Sequence, residues 1–195
     1  MGPGVSDVIL EGLVTTITEQ SEPNISPMGA LVDEQMTELV LRPYRTSRTY
    51  ANLKRTRQGV LHVTDDVEML ARAAVGRLTP LPKVVPAKKV KGFIIADACR
   101  WYEFRVTTLD ERGERTTIAC QVVGQGRIRD FFGFNRAKHA VLEATILATR
   151  VQCLPPEDIF EELRRLAVLV EKTAGAQERR AFRFLEEYVA EMLKR

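Results

Sequence analysis

Between residues 41 and 53 the chain has the sequence LRPYRTSRTYANL, which contains three arginines and three aliphatic hydroxyl side chains. Ser47 is suited to be the N-cap of a short helix that follows a strand and a turn. The free N–H groups and the dipole at the start of a helix favour an anion, and arginine adds bidentate bonds to phosphate oxygens. The stretch therefore predicts a phosphate pocket. On composition alone, a capped surface helix with solvated arginines is the alternative.

A second informative stretch is PNISPMGA, residues 23–30. Pro27 cannot donate to a β ladder, so this strand is expected to lie at an edge or to break there. Gly29 would let a backbone or a flat ligand approach closely. Exposed main-chain groups beside Met28 could line a planar ring, and an irregular edge strand is the alternative.

The segments around these stretches predict an antiparallel β meander. Short β-branched and apolar runs separated by polar turns are typical of consecutive strands: the runs 8–10 and 13–17 mark the first, 24–32 a return strand, 38–42 a third and 60–64 a fourth. A helix over 49–55 is expected to end at Gly59, and Asp65 and Asp66 are expected to cap a second helix that Gly76 closes. The proline-rich residues 77–89 predict a loop or an irregular edge segment, and residues 93–125 a β pair around a hairpin loop at 110–114.

From Asn135 onward the apolar period changes from two to about 3.6, which predicts three helices. Their apolar faces are residues 140, 141, 144, 147 and 151, then Ile159, Leu163, Leu166 and Val170, and finally Phe182, Leu185, Val189 and Met192. The predicted fold class is α+β. We expect a β-barrel of six or more strands with inserted helices over residues 8–130, followed by a C-terminal three-helix subdomain over 131–195.

Composition narrows the class of protein. The 195 residues are 45% hydrophobic and 28% charged, with a net charge of +3, as in an ordinary globular protein. No run approaches the roughly 20 apolar residues of a membrane span, and residues 1–7 lack the regions of a signal peptide, so a cytoplasmic protein is expected. The mild charge suits a small anionic ligand better than nucleic acid. Three scattered cysteines and two histidines make a metal centre improbable.

Several motifs together resemble a known family. They are residues 24–29 (NISPMG), 47–53 (SRTYANL), 59–66 (GVLHVTDD) and 132–141 (FGFNRAKHAV). In this order and spacing they resemble the FMN-binding split-barrel superfamily. Within it, the chain is similar to a domain-of-unknown-function branch of prokaryotic flavoproteins that resemble flavin reductases. The resemblance covers roughly Val8 to Arg150.

The resemblance implies a bound FMN, in a dimer with FMN at or near the subunit interface. It implies that a first group of residues holds the phosphate and a second group borders the isoalloxazine ring. The first group is Ser47, Arg48 and Thr49, with Arg45 and Asn52 nearby, and the second is Ser26, Pro27, Met28 and Gly29.

The helix that starts near Asn135 has two interpretations. As a lid, it would let Asn135, Arg136 or Lys138 reach flavin or substrate. As a plain surface element, its face of Arg136, His139 and Glu143 would form ion pairs at the surface or between subunits. His62 lies in an apolar strand and is interpreted as structural.

The resemblance implies a flavoprotein, expected to be an oxidoreductase of flavin-reductase type that uses NAD(P)H or another small-molecule reductant on a small molecule. In such a protein the flavin carries the redox chemistry, so no nucleophilic side chain is needed. Two alternatives stay open. One is a flavin carrier or sensor without turnover, and the other is a nucleotide- or nucleic-acid-binding module, which the modest charge disfavours.

Overall fold

The computed structural model describes residues 8–113 and 115–194. The amino-terminal stretch used for the cytoplasmic expectation, and Glu114 of the predicted hairpin loop, lie outside these residues. The strands are β1 Val8–Ile17, β2 Pro23–Val32, β3 Glu38–Leu41, β4 Gln58–Val63, β5 Val84–Pro86, β6 Phe93–Ile95, β7 Arg100–Asp110 and β8 Thr117–Arg127. The helices are α1 Arg48–Thr56, α2 Val67–Ala74, α3 Arg136–Thr149, α4 Pro156–Thr173 and α5 Ala176–Met192.

Six strands close an antiparallel barrel in the order β1-β2-β3-β8-β7-β4, and β5 and β6 form a separate two-stranded sheet. Alternating residues of the barrel strands point to a common apolar interior. Its fully buried members include Val14, Leu41, Leu61, Phe104 and Ile118. The α+β class and the six-stranded barrel with inserted helices are confirmed.

The chain divides into two compact units. The barrel unit runs to Thr64 and resumes over Pro82–Phe131, and the helical unit is Asp65–Leu81 with the residues from Phe132 onward. Helix α2, which the sequence analysis counted with the barrel, therefore belongs to the helical unit. The reason is its apolar stripe: Val67, Leu70 and Ala71 are buried, and α2 packs on α3 and α5.

The apolar faces of the last two helices agree with the 3.6-residue period. Ile159, Leu163, Leu166 and Val170 of α4 are all buried. Phe182, Leu185 and Val189 of α5 are buried as well. Within the described ranges, no helix has the length and apolar character needed to span a membrane.

Gly59 does not end α1, contrary to the prediction. Arg57 ends it in the left-handed conformation, with φ 56°, and donates its backbone N–H to the Leu53 carbonyl at 2.9 Å. Gly59 instead lies in β4 opposite Phe104, where a Cβ atom would be 2.7 Å from the Phe104 ring. Tertiary packing, not a local helix stop, explains this glycine.

The first strand and the proline-rich segment agree with the sequence. The runs 8–10 and 13–17 lie in one strand, which pairs with β2 along its full length. Gly12 between them allows β1 to approach β4 closely, since a Cβ there would lie 2.5 Å from the His62 carbonyl oxygen. The proline-rich segment contains the short strand β5, which pairs with β6 through Val84 and Ile95.

A buried carboxylate holds the loop after β5 against the barrel. Glu103 is 0% exposed and accepts hydrogen bonds from the backbone N–H groups of Lys88 and Val90 at 3.0 Å each, and from that of Lys89. Such charge-assisted bonds in a buried site are stronger than neutral ones.

We expect Glu103→Gln to lower the free energy of unfolding by about 2 kcal/mol, because the new NH₂ group would face N–H donors and leave some of them unpaired. Chemical denaturation measures this loss. Glu22→Gln, a change at an exposed side chain, is the matched control. Equal stability of the two variants would show that the three N–H bonds do not hold the loop.

Candidate functional site

A buried polar cluster joins the two stretches that the sequence singled out. Asn24 Nδ2 on β2 donates to Thr49 Oγ1 on α1 at 3.2 Å and to Thr16 Oγ1 on β1 at 3.2 Å. Asn52 Nδ2 also donates to Thr16 Oγ1, at 3.0 Å. Thr49 and Asn52 are buried, so they fix the start of α1 against the β1–β2 hairpin.

The start of α1 has the features expected of an anion site. Ser47 is the N-cap and its Oγ accepts the backbone N–H of Tyr50 at 3.1 Å, so the confirmed cap satisfies one of the unpaired donors. The first turn contains no acidic residue. The N–H groups of Arg48 and Thr49 have no partner within the helix and remain available.

The arginines near this helix start are exposed. The Arg48 guanidinium has no hydrogen bond or ion pair with any residue that the structure describes. Arg45 contributes to the electrostatics beside it: hydrogen bonds from Lys54 and Tyr50 chiefly lower the pKa of Glu111, and the charge of Arg45 lowers that pKa further. Arg45 and Arg48 therefore place two exposed positive charges near the start of α1, with Glu111 close enough to Arg45 to be influenced by its charge.

The barrel wall is open along β2. This strand pairs with β1 over its full length, but with β3 only at Leu31 and Val32. Within the described ranges, residues 23–30 therefore have one unpaired edge, as expected from Pro27. Ser26, Pro27, Met28 and Gly29 are all half-buried along this edge.

The strand register shows which of these side chains face the barrel interior. Ser26 is opposite Val14, and Val14 is opposite Leu61, and both apolar partners belong to the core. Cross-strand partners share a face of a sheet, so Ser26 faces inward. Met28, two residues further on, packs against the same core. Pro27 lies between them, on the opposite face.

Gly29 has a packing role that the sequence analysis did not foresee. A Cβ atom there would lie 2.9 Å from Ile9 Cγ2 and 3.1 Å from Glu11 Oε1. The space beside Gly29 is thus taken by side chains of β1. This contact explains the glycine without a flat ligand.

Asn135 and Lys138 lie in the helical unit, where other side chains and carbonyls bind them. Asn135 caps α3, accepting the Lys138 backbone N–H at 3.1 Å, and donates to the Thr173 carbonyl at 3.0 Å. Lys138 Nζ lies 2.7 Å from Glu178 Oε1 and 2.7 Å from the Asp65 carbonyl oxygen. Burial alone would raise the pKa of Glu178, but the hydrogen bond from Lys138 holds it below its ordinary value. These contacts give both Asn135 and Lys138 a structural role within the helical unit.

The face of Arg136, His139 and Glu143 is exposed, and the His139 ring stacks on Phe134 with 6.1 Å between centroids. The described residues contain no group of three or more His, Cys, Asp or Glu side chains that could hold a metal ion.

His62 is structural, as expected. It is 0% exposed, its Nδ1 lies 3.1 Å from the Leu13 carbonyl oxygen, and its Nε2 accepts the Ile95 backbone N–H at 3.1 Å. Nδ1 therefore carries the proton, and the ring is neutral. Burial lowers the pKa of His62 to about 4.

Asn24 and Thr16 are site residues for which the sequence pattern had predicted no role. The sequence does contain a pattern that could have indicated them. A β1–β2 hairpin around the polar turn places these two polar residues opposite each other, as the register confirms. Their bonds to Thr49 and Asn52 depend on where α1 packs.

A six-stranded antiparallel barrel with an open β2 edge, and with a helix N-terminus bound to that edge, defines the split β-barrel class. The chain belongs to the family described as protein of unknown function (DUF447): the model of the family's N-terminal domain matches residues 10–129 and a second model matches residues 135–187. None of the curated proteins matches the chain.

Solved structures agree with this assignment. The FMN-bound DUF447 protein of Methanosarcina mazei is 25% identical, has a TM-score of 0.80, and the match covers 95% of this chain and 97% of that one. The 2-nitrobenzoate 2-nitroreductase of Pseudomonas fluorescens is 16% identical, with a TM-score of 0.53 and coverage of 65% and 66%. The flavoredoxin of Desulfovibrio vulgaris is 14% identical, with a TM-score of 0.53 and coverage of 65% and 73%. The last two share the fold.

Proposed function

We propose that this chain is an FMN-binding flavoprotein of flavin-reductase type, with the FMN phosphate at the start of α1 and the ring along the open edge of β2. The observation that carries the proposal is the bond between Asn24 and Thr49, which joins the two parts of the site. The FMN-bound relative from Methanosarcina mazei supports the choice of cofactor.

The start of α1 fits a phosphate group. The available N–H groups of Arg48 and Thr49, the Ser47 hydroxyl and the Arg48 guanidinium are all donors, and the helix dipole adds to their attraction. Arg45 lies three residues before Arg48 and adds positive charge. Asn52 is a positioning residue here, since its amide is bound to Thr16.

The open edge of β2 fits a planar ring with a polar rim. The unpaired main-chain groups of residues 23–30 supply donors and acceptors, while the half-buried Pro27, on the face away from the core that Met28 contacts, supplies apolar contact. When bound, FMN supplies the hydride- and electron-transfer chemistry. The chain's own residues orient the group, and backbone N–H donors beside it stabilise negative charge that develops on reduction.

The proposal also includes NAD(P)H or a similar reductant as electron donor, a homodimer, and a cytoplasmic location. An unpaired strand edge favours an oligomer, because an edge of this kind is commonly covered. Phe132 and Phe134 of the helical unit are 78% and 96% exposed, and large exposed aromatic side chains are enriched at protein interfaces.

The test is an FMN titration of the purified protein, followed by anaerobic addition of NADH or NADPH. We expect a saturable one-to-one complex with the two-band spectrum of a protein-bound flavin, which bleaches with the nicotinamide nucleotide. Binding without bleaching would favour the carrier or sensor. Failure to bind FMN would overturn the proposal.

A further inference from the structure

Two arginines face each other across β7 and β8. Arg100 is directly opposite Arg127, and two positions further along Tyr102 is opposite Gln125. Because side chains alternate along a strand, these four lie on one face of the sheet. Together with Gly126 they line a cavity of about 330 Å³.

The register of this arginine pair is set from the other face of the sheet. Trp101 is opposite Gly126, and a Cβ atom at Gly126 would lie 2.5 Å from the Trp101 ring. Any larger residue would displace the ring or the strand. The close contact holds Arg100 and Arg127 side by side.

The charges at this cavity are unbalanced. Like charges directly opposite each other in a sheet destabilise it, and the five lining residues include no acid. Over the part of the chain that the structure describes, the Arg100 guanidinium has no ion-pair or hydrogen-bond partner. Arg127 pairs with Asp130 at 2.9 Å, but both side chains are largely exposed, so this bond is weak.

We propose that the cavity binds a small oxyanion, a phosphate or carboxylate group, between Arg100 and Arg127. Opposed residues of an antiparallel pair have Cα atoms only about 5 Å apart, so two guanidinium groups can donate to one anion. The Tyr102 hydroxyl and the Gln125 amide supply further donors. The volume is at the lower end for ligand pockets, which indicates a small metabolite rather than a dinucleotide.

This site is separate from the proposed FMN phosphate site, because it is built from β7 and β8 and not from α1. The proposal therefore does not depend on flavin binding. Arg48→Ala protein is the right background for the test, since the substitution weakens the competing anion site at the start of α1.

The experiment is calorimetric titration of the full-length Arg48→Ala protein with inorganic phosphate and, separately, with succinate, at ionic strength held constant with sodium chloride. We expect one saturable site. Adding Arg100→Gln or Arg127→Gln should weaken binding about tenfold or more, since each removes charge-assisted bonds. Arg112→Gln, the same change at the far end of the β7–β8 hairpin, is the control and should leave binding unchanged.

Thermal unfolding gives a second readout that a merely structural role would not produce. Without phosphate or succinate, Arg100→Gln should raise the midpoint temperature, because it removes the repulsion. Adding the anion should raise the midpoint temperature more in the protein that keeps both Arg100 and Arg127 than in the Arg100→Gln variant. Tighter binding of phosphate assigns a phosphorylated ligand, and tighter binding of succinate assigns a carboxylate. No saturable binding of either, or equal binding by the Arg100 and Arg112 variants, would overturn the proposal.

Discussion

Arg48→Ala is expected to weaken FMN binding by about tenfold to a hundredfold. The exposed Arg48 guanidinium has no ion pair among the described residues, so little of its charge is neutralised before a ligand arrives. A charge-assisted bond to a phosphate contributes about 1.5–3 kcal/mol, which corresponds to that loss. Quenching of flavin fluorescence during titration measures the dissociation constant.

Two further variants separate this effect from a general loss of positive charge. Arg164→Ala removes an exposed arginine from α4 and should leave the affinity unchanged. Arg48→Lys keeps the charge but loses bidentate geometry, so it should fall between the native protein and Arg48→Ala. An Arg48→Ala protein that binds FMN as tightly as the Arg164→Ala protein would place the phosphate elsewhere.

His62 should make the protein's stability depend on pH well above the range where carboxylates titrate. Its folded pKa is about 4 and its ordinary value is 6.5, because burial disfavours the charged ring. Above pH 6.5 both states carry a neutral ring and the stability is fully present. As the pH falls toward 4, the unfolded chain takes up a proton that the folded protein does not, so stability is lost.

The expected loss is about 2 kcal/mol between roughly pH 7.5 and pH 5, at about 1.4 kcal/mol for each pH unit below the unfolded pKa. Chemical denaturation across this range measures it. His62→Asn should remove most of the pH dependence, at the cost of a less stable protein at neutral pH. His139→Gln, which alters the exposed histidine, should leave the slope unchanged. A flat profile for the native protein would mean that His62 is accessible to protons in the folded state.

Much of the local structure follows from the sequence. Ser47 caps α1 because its side chain accepts the backbone N–H of a residue only three positions further along, so the cap depends on local sequence alone. The stripe from Ile159 to Val170 predicts which face of α4 is buried, since the 3.6-residue period needs no knowledge of the partner. Pro27 predicts an unpaired strand edge because it cannot donate to a ladder. The motifs around Ser47 and Asn24 together indicated the family.

Other features depend on residues far apart in the chain. Gly59 is a glycine because of Phe104, and the buried Glu103 is tolerated because the loop at residues 88–90 encloses it. The opposition of Arg100 and Arg127 depends on the β7–β8 register, which β-bulges shift near Phe104 and Thr108. No local pattern contains this information.

Local patterns predicted the main strands and helices, the Ser47 cap and the positive charge at the start of α1. The packing of distant segments places Asn24 against Thr49, α2 in the helical unit and Lys138 beside Glu178. The reason is the distance along the chain over which each effect acts. Periodicity and capping act within a few residues, whereas the partner of a buried polar group is set by which strands and helices pack together.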